Sequence, residues 1–138
     1  MKKAALLGLA VMSILFFTPA CGKKGGGGGG GCSETALQVT TIPAINSTEA
    51  PAPGPDFPLQ VTITAGMPTA GVTIQVKAHL DGSTTNFYAP AATSTTSASN
   101  SFTITGTPAA SSCVVDITVT SKSCATNKWT GSYRYSRK

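Results

Sequence analysis

Charge is what this chain has least of. Asp, Glu, Lys and Arg make up 11 % of its 138 residues, less than half the share in an average soluble protein. The five acids (Glu34, Glu49, Asp56, Asp81, Asp116) and the single histidine, His79, are scattered, with no two in a motif. Catalytic constellations need acids, bases or nucleophiles in company, and none is visible. No serine stands in G-x-S-x-G, and no C-x-x-C is present. The expectation is a protein that is not an enzyme and holds no metal or other cofactor. Long basic runs are missing too, which argues against nucleic acid as a partner. After residue 21 no segment repeats its apolar residues with helical period. Ser, Thr, Gly, Ala and Pro dominate instead, the composition of an exported β-protein more than of a cytosolic enzyme.

What is present begins with the N-terminus. Lys2 and Lys3 precede an apolar run of fourteen residues, Ala4 to Phe17, followed by Thr18, Pro19, Ala20 and Cys21. The run is too short to span a bilayer as a mature helix and fits a secretory signal, residues 1–20. The Ala20–Cys21 junction resembles the lipobox of bacterial lipoproteins. That resemblance implies lipidation of the Cys21 thiol, cleavage after Ala20 and often acylation of the new amine. Two or three acyl chains make a stable membrane anchor, each buried CH2 adding about 0.8 kcal/mol. In lipoproteins of this kind an Asp after the lipidated Cys signals inner-membrane retention. Gly22 stands here, so the resemblance implies a bacterial cell envelope with the outer membrane favoured. Loss of Lys2 and Lys3 takes the formal charge from +5 to +3.

Residues 21–34 read as a tether. Gly25 to Gly31 are seven consecutive glycines, which carry maximal backbone entropy and no side chain to pack. The ten residues from Gly22 to Gly31 reach about 33 Å when stretched and average about 17–19 Å as a coil. Lys23 and Lys24 stand beside the lipid. Each adds about 1 kcal/mol near anionic headgroups, or is simply solvated.

Residues 35–138 alternate with period two. Leu59, Val61 and Ile63 alternate with Gln60, Thr62 and Thr64; Val72, Ile74, Val76, Ala78 and Leu80 with Thr73, Gln75, Lys77 and His79; Cys113, Val115, Ile117 and Val119 with Val114, Asp116, Thr118 and Thr120. This pattern predicts strands near 36–42, 59–64, 72–80, 84–89, 101–106, 113–121 and 127–135. Turns fall at AGMPTAG, DGS, the Ser/Thr stretch around 93–100, GTPAASS and SKSCATN. Residues 43–58, rich in proline, read as an extended linker or a long strand connection. About seven strands with one apolar face each must cover that face with a second sheet, which predicts an all-β, immunoglobulin-like two-sheet sandwich. The segment AGMPTAGVTIQV, with Gly66, Met67, Pro68, Gly71 and Val72, resembles the strand–turn–strand of bacterial immunoglobulin-like and carboxypeptidase-regulatory-like domains. It implies that fold class and leaves the role open.

If Cys21 is lipidated, Cys32, Cys113 and Cys124 remain, and an odd thiol is left over. A straight strand over 113–121 separates Cys113 from Cys124 by about 36 Å, far beyond disulfide reach. Counting antiparallel strands places Cys32 beside Cys124. Cys113–Cys124 stays open if the strand bends at Ser121. The C-terminal segment NKWTGSYRYSRK gathers the rings. Trp129, Tyr133 and Tyr135 share a face, with Gly131 between them, and Arg134, Arg137 and Lys138 supply charge. The rings either complete the core or line a platform for a sugar or a partner protein. The basic residues serve an anionic surface or keep an edge strand from mispairing. The expected function is a lipid-anchored, non-catalytic binding or structural module. Its partners are the membrane through Cys21 and an envelope polysaccharide or protein. The alternatives are a sugar-binding accessory module and a subunit of an envelope assembly.

Overall fold

The computed structural model describes residues 32–138. The expected signal segment, Cys21 and the glycine run lie outside the described residues. Eight strands follow in chain order: β1 (Gln38–Ile42), β2 (Phe57–Ala65), β3 (Val72–Leu80), β4 (Asn86–Tyr88), β5 (Thr93–Thr95), β6 (Ser99–Ile104), β7 (Ser111–Ser121) and β8 (Lys128–Arg137). All pairings between them are antiparallel. One sheet has the order β1-β2-β6. The other has the order β4-β3-β7-β8, with β5 pairing the same edge of β3 as β4 but further toward its start. This is an immunoglobulin-like sandwich.

The period-two pattern becomes two faces. Leu59, Val61, Ile63, Val72, Ile74, Val76, Ala78, Val115, Ile117 and Val119 are all buried between the sheets, while the intervening Thr, Gln and Lys residues point outward. Burying each Val, Leu or Ile contributes about 1.5–3 kcal/mol. Leu80, the last residue of β3, departs from its pattern and stays exposed.

Two glycines fix the link between the sheets. Gly66 and Gly71 have φ of +76° and +82°, and a Cβ on either would lie against the backbone oxygen of Ala36 or Thr95. Only glycine combines that conformation with that approach. Between them the Gly71 N–H donates to the Pro68 carbonyl across 2.9 Å, closing the turn that swings the chain from β2 into β3.

The structure corrects the expected layout in two places. The Ser/Thr stretch around 93–100 is not only turn: Thr93–Thr95 forms β5, and Ser99 already begins β6. And of the two readings of the proline-rich 43–58 the long strand connection holds, although β2 already takes Phe57 and Pro58 from it. After a cis bond at Ile42–Pro43 the chain runs parallel to β8, bridging Thr48 to Arg134 and Ala52 to Arg137. The Asn46, Glu49 and Ala52 amides donate to the Ser132, Arg134 and Ser136 carbonyls at 2.7–2.8 Å. The β8 edge is therefore satisfied by the connection itself. Pro58 is tolerated inside β2 because β1 ends at Ile42, opposite Gln60, and no neighbour is left to accept the missing N–H.

The topology gives the sandwich two poles. Cys32, the β2–β3 turn and the β7–β8 loop share one. The β3–β4 and β6–β7 loops and Lys138 share the other.

Candidate functional site

The pole that carries Cys32 is built as a clasp. Cys32 and Cys124 are disulfide-bonded, with Cα atoms 5.8 Å apart and a sequence separation of 92. Polar side chains complete the hold. Glu34 accepts from Ser123 Oγ and from Asn127 Nδ2 (2.9 Å), while Asn127 Nδ2 also donates to the Thr35 carbonyl (3.0 Å) and its Oδ1 accepts from the Leu37 amide (3.1 Å). Hydrogen bonds from Ser123, Asn127 and Ser121 hold the Glu34 carboxyl below its usual range, slightly opposed by burial. Asn127 thus acts as a template for the segment that enters β1. Its role carried no sequence signal beyond a turn residue before a strand. Of the two pairings the sequence left open, the structure forms Cys32–Cys124. Cys113 is a buried free thiol inside β7, placed there by the same alternation that buries Val115 and Ile117.

The candidate aromatic platform on β8 comes apart. Tyr133 and Tyr135 are each 1 % exposed in the core; Tyr135 stacks on Phe57 with ring centroids 4.2 Å apart, and Tyr133 lies tilted to Phe57 at 6.1 Å. Neither can meet a ligand, and the reading of these two as binding residues is corrected. Burial pushes both phenols up. The neighbouring Tyr135 and Glu49 add to the shift of Tyr133, and the hydrogen bond to Thr107 partly offsets that of Tyr135. Trp129 is half-buried and packs against the core. No gap lies over Gly131: a Cβ there would stand 2.5 Å from the Trp129 ring and 2.6 Å from Ile45 Cγ2. The indole has folded along β8 into the space that glycine leaves. Arg134 lies on the opposite face, 3.5 Å from Asp81, an exposed pair of small energetic weight.

His79 pairs across β3 and β7 with Asp116, Nε2 to Oδ2 at 3.1 Å, while Nδ1 faces the Leu80 carbonyl at 2.8 Å. Both ring nitrogens face acceptors. A hollow of about 590 Å3 at the clasp is lined by Gly66, Met67, Pro68 and Glu34; Glu34, its one ionisable group, is already engaged. No group of three or more His, Cys, Asp or Glu side chains suited to a metal occurs among the described residues.

The lateral flank formed by β4, β5 and β6 is of another kind. Residues 82–115 contain no charged side chain. The β6 edge is unpaired along its outer side among the described residues. No helix in the same residues is long and apolar enough to cross a membrane. No protein-family model matches the chain, and neither a curated protein nor a solved structure matches it.

Proposed function

We propose that the chain is an exported, lipid-anchored and non-catalytic module that presents a rigid β-sandwich at a distance from a bacterial envelope membrane. The observation that carries this reading is the Cys32–Cys124 disulfide. Disulfides persist in oxidising compartments outside the cytosol. This one sits directly after the glycine run, at the start of the folded domain. A pull on the tether is received by β7 and β8 through Cys124 instead of peeling β1 from the sheet. The anchor at Cys21, the spacer Gly25–Gly31 and the clasp at Cys32 form one continuous device in this reading. It directs the clasp pole toward the membrane and the β3–β4 and β6–β7 loops away from it.

Of the two alternatives, the sugar-binding module loses its support with the burial of Tyr133 and Tyr135. Membership of an envelope assembly is favoured by the open β6 edge, since an uncovered strand is a template for strand addition. Fractionation of expressing cells, with mass spectrometry of the membrane-bound chain, tests the anchor. Acylated Cys21 at the new N-terminus supports the reading, and an unmodified chain in the soluble fraction overturns it.

A further inference from the structure

Where β1 stops, the smaller sheet carries a hollow of about 550 Å3. Ile42 ends β1, Phe57 begins β2 and Ile104 ends β6, so the hollow lies toward the pole opposite the clasp. Ile42, Pro43 and Pro58 supply its apolar walls, and Gln60, Thr103 and Glu49 bring polar atoms. Ile42 is 68 % exposed, the most of any large apolar side chain among the described residues. A concave apolar lining with a few convergent polar groups is the usual build of a small-ligand site.

Its polar groups are weighted toward acceptors. Glu49 is half-buried and is the one ionisable residue in the lining. Its Oε1 accepts from Ser47 Oγ at 2.6 Å. Among the described residues its Oε2 has no hydrogen-bond partner, and neither oxygen meets a lysine or arginine. The Pro58 carbonyl is open as well. Ile63 N–H donates to the Ala98 carbonyl at 2.8 Å, and bonding alternates along an antiparallel ladder. Phe57, Leu59 and Val61 therefore bond to β6, and Pro58 turns its carbonyl to the β1 side, where β1 has ended at Ile42 opposite Gln60. The Gln60 amide nitrogen donates to Ser99 Oγ at 3.1 Å, which leaves its oxygen to accept. A half-buried carboxylate without a cation is costly. The charge of Glu49 also reaches the core, where it adds to the upward shift of the Tyr133 phenol.

We propose that this hollow binds a primary ammonium group on a short alkyl stem, the chemistry shared by a free diamine and a lysine side chain. Charge complementarity selects it. The lining has one negative group and no positive one, with open acceptors on Glu49, Pro58 and Gln60. An ammonium brings three N–H donors and no acceptor, and its stem lies against Ile42 and Pro58. A guanidinium suits the site less. Its two-pronged grip asks for both carboxylate oxygens, and Oε1 is already held by Ser47. The site stands apart from the clasp and does not depend on a lipid at Cys21. In the anchored reading it opens away from the membrane, where a partner or solute would meet it.

Amide NMR of the full chain in detergent tests this with two probes, the diamine cadaverine and Nα-acetyl-lysine amide. Both are expected to give saturable shifts at the Glu49, Gln60 and Thr103 amides. Pentanediol, the uncharged counterpart of the diamine, should give none, and Nα-acetyl-arginine amide should bind several-fold more weakly. Tighter binding of the lysine amide supports the site with a peptide as the source of the ammonium, and tighter binding of cadaverine supports it with a free amine. Glu49→Gln keeps the Ser47 hydrogen bond through its amide oxygen and should weaken both probes by about tenfold or more. Ile42→Ser, at an exposed position, should weaken them several-fold while the spectrum elsewhere is unchanged. No saturable shift with either amine, pentanediol binding equal to that of cadaverine, or unchanged affinity in Glu49→Gln would overturn the proposal.

Discussion

The hydroxyls of Tyr135 and Thr107 share a buried hydrogen bond of 2.6 Å, while the hydroxyl of Tyr133, two residues earlier on the same face of β8, has no partner. The two phenols are a matched pair of opposite sign. Tyr135→Phe leaves the Thr107 hydroxyl buried and unpaired and should cost about 1–3 kcal/mol. Tyr133→Phe removes an unsatisfied buried group and should be neutral or stabilising. Thermal melting of the two variants side by side checks this, and equal losses would contradict it.

Gly131 and Trp129 compete for one space. Gly131→Ala places a methyl where the indole and Ile45 already lie, so the ring must move outward and the melting temperature should fall. Trp129→Ala removes a half-buried ring and should cost about 2 kcal/mol, less than the 3–5 kcal/mol of a fully buried aromatic. Quenching of tryptophan fluorescence gives a second readout: Trp129 should become more accessible in Gly131→Ala.

Most of the sandwich was legible because its strands bury alternate residues. Leu59, Val61 and Ile63, or Cys113 to Val119, announce both a strand and the face that it hides. The same rule carried Tyr133 and Tyr135 into the core and left only Trp129 partly exposed, where the sheet ends. β5 was hidden because Thr93, Ser94 and Thr95 are alike on both faces, so no alternation marks them. The strand-like run at 46–52 was hidden by Pro51 and the flanking Pro43 and Pro53, which forbid a regular ladder but not three well-placed amides. Cys32 beside Cys124 followed from strand parity. The open β6 edge has no signature of its own.

The clasp should respond to acid. The carboxyl of Glu34 titrates below its usual range when folded. Its stabilising contribution is therefore present above the unfolded-state value and is lost as pH falls through the lowered folded value. Glu34→Gln should melt earlier than the unchanged chain at neutral pH, because an amide cannot accept from Asn127 in the same way. The gap should close below the carboxylate range. Melting curves of both chains from neutral to acid pH check it, and a gap that widens in acid would contradict it.

Loss of the disulfide should be felt by the whole domain. Closing a loop of 92 residues removes unfolded-state entropy worth about 4–5 kcal/mol in the chain-entropy account. Cys124→Ser should approach that loss, whereas Cys113→Ala should cost only what a small buried side chain contributes, about 1 kcal/mol. Denaturant unfolding of the two variants separates them.

The central claim is that a lipid at Cys21, a glycine spacer and a disulfide clasp present this sandwich from a membrane. Intact-mass and non-reducing peptide mass spectrometry of the chain recovered from the membrane fraction tests it in one measurement. The account predicts an N-terminus at Cys21 carrying diacylglyceryl and acyl mass, together with a Cys32–Cys124 linked peptide and a free Cys113. A chain that retains Met1 and an unmodified Cys21, or one in which Cys124 is a free thiol, would contradict it.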